Sequence, residues 1–362
     1  MPAVYRKALD NLLPYKAARS LESVKREFGV QEVVKLAANE NCHGFSPRVT
    51  EAILAAQNGI TFYPDTEVTP LRDALVRKLG VGPNELVFGN GSFELLTLAA
   101  TAFLDAGTEA IIPKPSFGWY YVMTTVANAV PVIVPLKNHA VDLDAILDRI
   151  SARTRLVWLC NPNNPTGTYV SGAALDAFIE EVPENVLILL DEAYIDFAPE
   201  DAPRSIELIH RHKNIITLRT FSKVYGLASL RIGYAAGDAE LMEKLSRVRA
   251  PVNVNALAQT AALAALEDSG FYDYVVRKNR EGRQFYYTAL ERLNVEYIPS
   301  ACNFIMLNTM RDGSEVEREY IKRGILVRNG KEFDMPSWIR VTIGTEAQNR
   351  RVLEILEELI QG

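Results

Sequence analysis

Residues 186–190 read Val-Leu-Ile-Leu-Leu, and the next residue is Asp191. A strand with one wet face alternates apolar and polar residues. A run apolar at every position is buried on both faces, as in a parallel sheet covered by helices. Six more short apolar runs, at 86–88, 110–112, 132–134, 156–160, 215–218 and 232–236, are interleaved with helix-like stretches at 94–104, 143–150, 172–181 and 239–249. This alternation predicts an α/β fold around a mixed, mostly parallel seven-stranded sheet. Beyond residue 250 the pattern changes. It predicts an Ala-rich helix at 254–266, a long charged helix at 271–293, short strands at 304–307, 325–327 and 338–343, and a closing helix at 348–360. The expectation is a large domain over residues 40–250, with a smaller α+β domain made from 1–39 and 251–362.

The length of 362 residues suits two such domains. A net charge of −6 argues against nonspecific binding to nucleic acid. No apolar run reaches the ~20 residues of a membrane span, and the N-terminus shows no secretory signal. The three cysteines, Cys42, Cys160 and Cys302, are far apart and read as reduced thiols. The four histidines carry no metal-ligand spacing, so no metal is expected. The expectation is a cytoplasmic protein with small-molecule partners and neither a nucleic-acid nor a membrane partner.

Polar clusters follow four of the apolar runs. Asp191 ends one run and Tyr194 lies three residues on. An acid there can cap a helix or face a ligand at the sheet edge. The run at 215–218 leads into Ser222-Lys223, where a lysine can be desolvated and nucleophilic rather than simply exposed. Arg231 opens the next run, so Ser222, Lys223 and Arg231 would make a phosphate-plus-amine site. Gly89-Asn90-Gly91-Ser92 precedes a helix, a setting in which backbone N–H groups bind phosphate. The third glycine of a dinucleotide fingerprint is missing, since Glu94 stands in its place. The turn 161–167 presents Asn amides between two prolines. Together these strand ends supply what pyridoxal phosphate requires: an amine, an acid for the ring nitrogen, donors for the ring oxygen and a phosphate cradle.

The chain resembles the fold-type-I pyridoxal-phosphate enzymes related to aspartate aminotransferase, and among them most of all the histidinol-phosphate aminotransferases. The resemblance rests on Leu13-Pro14-Tyr15, Leu36-Ala37-Ala38-Asn39-Glu40-Asn41, Tyr63-Pro64-Asp65, Asn163-Asn164-Pro165-Thr166-Gly167, Asp191-Glu192-Ala193-Tyr194, Thr220-Phe221-Ser222-Lys223, Asn253-Val254-Asn255, Val327-Arg328 and the stretch from Ile339 through Arg340 to Thr345. It implies reversible amino transfer between L-histidinol phosphate and 2-oxoglutarate, giving imidazole acetol phosphate and L-glutamate, in histidine biosynthesis. It further implies that Lys223 carries the cofactor and shuttles the proton. Asp191 would face the ring nitrogen, while Tyr194 and Asn164 face the ring oxygen. Ser92, Phe93 (through its backbone), Ser222 and Arg231 would hold the phosphate, and Phe117 would stack on the ring. Tyr63 would reach the phosphate from the partner subunit of a homodimer. Tyr15, Asn41, Arg328 and Arg340 would contact substrate, with Arg340 as shared anchor for a phosphate monoester and a dicarboxylate.

Three positions depart from the family pattern: Cys42 where Pro is usual, Phe93 where Asp is frequent, and Phe117 where Tyr is usual. Phe117, Trp119 and Tyr120 also suggest an apolar pocket, which would suit an aromatic aminotransferase instead. A threonine-phosphate decarboxylase shares these motifs as well. A noncatalytic cofactor-binding protein fits the retained Lys223, Asp191 and Asn164 poorly.

Overall fold

The computed structural model describes residues 5–14, 20–203 and 205–361. Seven strands form the main sheet: β1 (Leu86–Gly89), β2 (Glu109–Lys114), β3 (Val130–Pro135), β4 (Thr154–Cys160), β5 (Leu187–Asp191), β6 (Ile215–Thr220) and β7 (Gly233–Gly237). Their spatial order is β1-β7-β6-β5-β4-β2-β3. All pairings are parallel except those of β7, which runs antiparallel to both β1 and β6. All seven sequence-predicted strands are present, and the sheet is mixed and mostly parallel as expected.

Every residue of β5 is buried, which accounts for its unbroken apolar run. Alternate residues feed two cores. Ile188 and Leu190 join one apolar cluster, while Leu187 and Leu189 join the other. The helix over Gly172–Glu181 starts where the Ser171 side chain accepts a hydrogen bond from the Ala174 N–H, and it packs Leu175, Phe178 and Ile179 onto the first core. The helix over Ser92–Phe103 covers the other face through Leu95, Leu96 and Ala99.

A third apolar core surrounds an antiparallel four-stranded sheet that includes Phe304–Asn308 and Trp338–Thr342. The long helix Ser269–Arg292 and the final helix Glu346–Gln361 cover it through Tyr286, Leu290, Val352 and Leu356. Ile325–Leu326 does not join this sheet. It pairs in parallel with Val34–Lys35, a contact over nearly three hundred positions that no local pattern announces. The helix Ala256–Leu266 lies with the first core: Ala258, Ala261, Ala262 and Ala265 are buried beneath the large sheet.

Helices at Leu21–Phe28, Pro47–Ala56, Thr69–Leu79 and Trp119–Val126 were absent from the sequence expectation. Two of them end on left-handed glycines, Gly29 and Gly80, a C-terminal signal that short amphipathic stretches carry. Among the described residues no helix is long and apolar enough to cross a membrane.

Leu189 is fully buried at the centre of the sheet. Leu189→Ala should lower the unfolding free energy by about 2–5 kcal/mol, because the cavity cannot collapse between paired strands. A fall in the urea midpoint at unchanged slope is the expected reading.

Candidate active site

Parallel pairing brings the carboxyl ends of β2, β4, β5 and β6 to one edge; β7, antiparallel to both β6 and β1, starts there and brings the carboxyl end of β1 to it too. Cys160 lies opposite Asp191, Asp191 opposite Leu218, and Gly233 opposite both Thr220 and Gly89. The register alone therefore assembles the polar clusters that the sequence places after each strand.

Lys223 projects from the loop after β6. Its Nζ donates to the carbonyls of Ala38 (3.2 Å) and Asn39 (3.0 Å) and lies 5.4 Å from the Tyr194 ring centroid. Burial, with the nearby charges of Arg340 and Arg231, lowers its pKa to about 8 against the opposing pull of Glu40 and Asp191. A substantial neutral fraction near pH 8 makes this amine a nucleophile and a base.

Asp191 is 5% exposed. Its Oδ2 accepts from the Tyr120 hydroxyl at 2.8 Å and its Oδ1 from the Ala193 N–H at 3.2 Å. Burial raises its pKa, while the Tyr120 and Ala193 bonds and the charge on Lys223 lower it. Behind it, Glu192 is buried against Arg219 (2.9 Å), and this ion pair ties the ends of β5 and β6.

Tyr194 is buried, and its hydroxyl accepts from Asn39 Nδ2 at 3.0 Å. The hydroxyl proton therefore remains to be donated into the site. Asn164 Oδ1 accepts from Arg340 Nη1, which turns the amide N–H groups outward as donors. Arg340 is 7% exposed, and its Nη2 donates to the Ala37 carbonyl at 3.0 Å. Its guanidinium lies 5.3 Å from the ring centroids of both Phe304 and Phe333, and its Nε has no partner among the described residues. Each of these contacts is uncharged, so burial lowers its pKa and an anion would relieve it.

A third grouping lies at the start of the helix Ser92–Phe103. Arg231, at φ +57°, donates to Ser222 Oγ at 3.4 Å and to the Ala228 carbonyl at 3.1 Å. A Cβ on Gly91 would stand 2.2 Å from Arg231 Nη2, and one on Gly233 would stand 2.7 Å from the Ser92 nitrogen. Both glycines are needed for the guanidinium and the helix N-terminus to approach each other. The first-turn N–H groups, two serine hydroxyls and a guanidinium with no charged contact among the described residues form an anion cradle.

The other sequence candidates divide. Phe117 is half-buried and packs edge-on against Tyr120, ring centroids 5.5 Å apart. Phe93 packs edge-on against Trp119 at 4.8 Å, so only its backbone is free for an anion. Asn41 Nδ2 donates to the Val224 carbonyl at 2.9 Å, directly after Lys223. Arg328 lies opposite Arg340 in the strand register, but its guanidinium is held by Glu332 at 2.5 Å. Tyr63 is 87% exposed on this chain. Tyr15 lies outside the described residues.

Two residues that the sequence argument did not assign prove central. Asn39, at φ +56°, bonds Tyr194, Lys223, Thr342 and Asn303. It stood inside a quoted motif, and an asparagine in a stretch with few charges is the signal that could have marked it. Tyr120 had been grouped with Phe117 and Trp119 as an apolar pocket for a substrate ring. The structure corrects this: Tyr120 is fully buried, stacked on Trp158 at 5.1 Å and bonded to Asp191.

The sequence pattern described as aminotransferase class I and II matches residues 31–356. The chain belongs to the class I and II aminotransferase family. This aminotransferase is 44% identical to histidinol-phosphate aminotransferase 2 of Carboxydothermus hydrogenoformans, over 98% of this chain and 99% of that one. Its fold matches histidinol-phosphate aminotransferase from Sinorhizobium meliloti, solved in complex with pyridoxal 5'-phosphate, with a TM-score of 0.91, 29% identity and 99% of each chain covered. It also matches L-threonine-O-3-phosphate decarboxylase from Porphyromonas gingivalis, with a TM-score of 0.81, 25% identity, and 91% and 100% covered. The scaffold alone thus serves two chemistries.

Pyridoxal phosphate is the aminotransferase's cofactor, and the residues fit it: a depressed lysine, a buried acid, two outward donors and an anion cradle kept open by Gly91 and Gly233. The rate at which the cofactor-free aminotransferase takes up pyridoxal phosphate should rise with pH and level off above about 8, where Lys223 is neutral. Absorbance stopped-flow would read it. A rate still climbing as for an unperturbed lysine of pKa ~10.4 would contradict the burial argument.

Proposed function

We propose that this aminotransferase exchanges the amino group between L-histidinol phosphate and 2-oxoglutarate, the reaction of histidine biosynthesis. The observation that carries the reading is the 44% identity, over nearly the whole of both chains, to an enzyme named for that activity. Pyridoxal phosphate supplies an electron sink that acidifies the substrate α-C–H. The chain supplies the rest. Lys223 takes the proton at the substrate α-carbon and returns it. Asp191 would face the ring nitrogen as an anion, and Tyr194 and Asn164 would donate to the ring oxygen. Ser92, Ser222, Arg231 and the first-turn N–H groups would hold the cofactor phosphate, and Phe117 would pack against the ring.

Arg340 is the anchor for substrate anions. Its Nε is unpartnered and its Nη groups rest on an amide and a carbonyl, so a carboxylate or phosphate offers it a better bidentate partner. Arg328 could assist only by exchanging Glu332 for the substrate phosphate.

The complete site takes Tyr63 from a second subunit. The apolar surface around it supports a homodimer: Leu54, Ile60, Phe62 and Tyr63 are 57%, 63%, 76% and 87% exposed. We read the large sheet with its two cores as the cofactor-bearing unit. Helix Ala256–Leu266 shares that core, which supports counting it with this unit beyond the expected boundary at 250. An aromatic-substrate reading loses its main support, since Tyr120 is committed to Asp191.

The test is the visible spectrum of the cofactor-loaded enzyme titrated with L-histidinol phosphate, L-phenylalanine and L-threonine phosphate. Bleaching of the yellow form by histidinol phosphate at low concentration, reversed by 2-oxoglutarate, is expected. Bleaching by phenylalanine alone, or carbon dioxide release from threonine phosphate, would reassign the substrate. Arg340→Ala should raise KM for both histidinol phosphate and 2-oxoglutarate by about 10- to 100-fold, the worth of a charge-assisted bond. Unchanged KM values would remove Arg340 from the anchor role.

A further inference from the structure

Asp191 faces a difficulty that the cofactor alone does not resolve. It sits at the end of a fully buried strand, and burial favours its neutral form. A neutral acid could not keep the ring nitrogen protonated. The charged and titratable groups around it are Tyr120 from the helix Trp119–Val126, Cys160 from the neighbouring strand and Lys223 from the loop after β6. Cys160 is itself kept protonated by burial. Lys223 becomes neutral near pH 8 and is engaged by two carbonyls. Tyr120 is the side chain that donates a hydrogen bond directly to the carboxylate, at 2.8 Å.

The Tyr120 hydroxyl is also held in place. Its ring is fully buried and stacks on Trp158, with planes 8° apart. The Trp158 indole N–H donates to Thr124 Oγ1 at 3.0 Å, one turn further along the same helix. Phe117 closes the ring edge-on. The donor therefore has no water to turn to and few orientations open to it. With Oδ2 taken by Tyr120 and Oδ1 by the Ala193 N–H, the carboxylate plane is fixed from both sides. Each oxygen keeps one further lone pair for the ring.

We propose that Tyr120 is a positioning residue of the reaction: its hydroxyl holds Asp191 ionised and in register with the cofactor's ring nitrogen. This rests on the reading that the site holds pyridoxal phosphate. The hydroxyl acts through Asp191 alone and has no direct part in binding substrate.

Tyr120→Phe removes the donor and keeps the stacked ring. Met242→Ala disturbs the same core and leaves the donor and the Trp158 ring beneath it in place. In Tyr120→Phe the dissociation constant for pyridoxal phosphate should rise about 10-fold or more, as for loss of a bond to a charged group. The pH midpoint of the visible absorbance change should move up by about half a unit or more. The sign follows from the ring: with Asp191 less ionised the ring loses positive charge, and the nitrogen titrating on it becomes more basic. Met242→Ala should lower the melting temperature yet leave both readings at the wild-type value. Tyr120→Phe indistinguishable from wild type in both readings would overturn the proposal. Equal shifts in the two variants would also overturn it, since packing alone would then explain them. A wild-type protein that takes up no cofactor would be a different failure, that of the functional reading itself.

Discussion

Three cationic side chains, Lys223, Arg231 and Arg340, converge on one sheet edge, and their hydrogen bonds all run to uncharged atoms. Like charges held together away from water are costly unless the scaffold is rigid. The scaffold here is a parallel sheet with a core on each face, and its strand register fixes where each loop begins. The Glu192–Arg219 pair locks two adjacent strand ends. On the proposed function, the energy held in this arrangement would be released by anions: a cofactor phosphate at Arg231 and a substrate anion at Arg340. Binding and catalytic readiness thereby share one cause, since each anion that arrives also changes the field at Lys223.

Much of this was legible in the sequence, for a local reason. A doubly buried strand must be apolar throughout, so β5 and its neighbours declare themselves within a few residues. Parallel pairing then sends Asp191, Asn164 and Lys223 to one edge without any further information. The glycines at 91 and 233 belong to the same logic, because a side chain at either would collide with Arg231 or the helix start.

What was not legible depends on partners distant in sequence. Tyr120 carries the same aromatic signature whether it lines a pocket or supports an acid. Only its approach to Asp191, 71 residues away, decides between them. Asn39 gains its role from groups at 194, 223, 303 and 342. Arg328 resembled a free substrate contact until Glu332, four residues on, was seen to claim it. The small parallel pairing of Val34–Lys35 with Ile325–Leu326 joins segments nearly three hundred positions apart, and a strand of two residues leaves no periodicity to detect.

That pairing gives the segment Ala37–Asn39 an unusual position. Its three successive carbonyls receive Arg340 and Lys223, and its own backbone is pinned to the smaller sheet through Thr342. The seats of Lys223 and of Arg340, the proposed substrate anchor, are therefore one short stretch of peptide. A slide of this stretch by a few tenths of an ångström would at once be a change in how firmly the lysine keeps its proton. In this molecule mechanical displacement and basicity are the same coordinate.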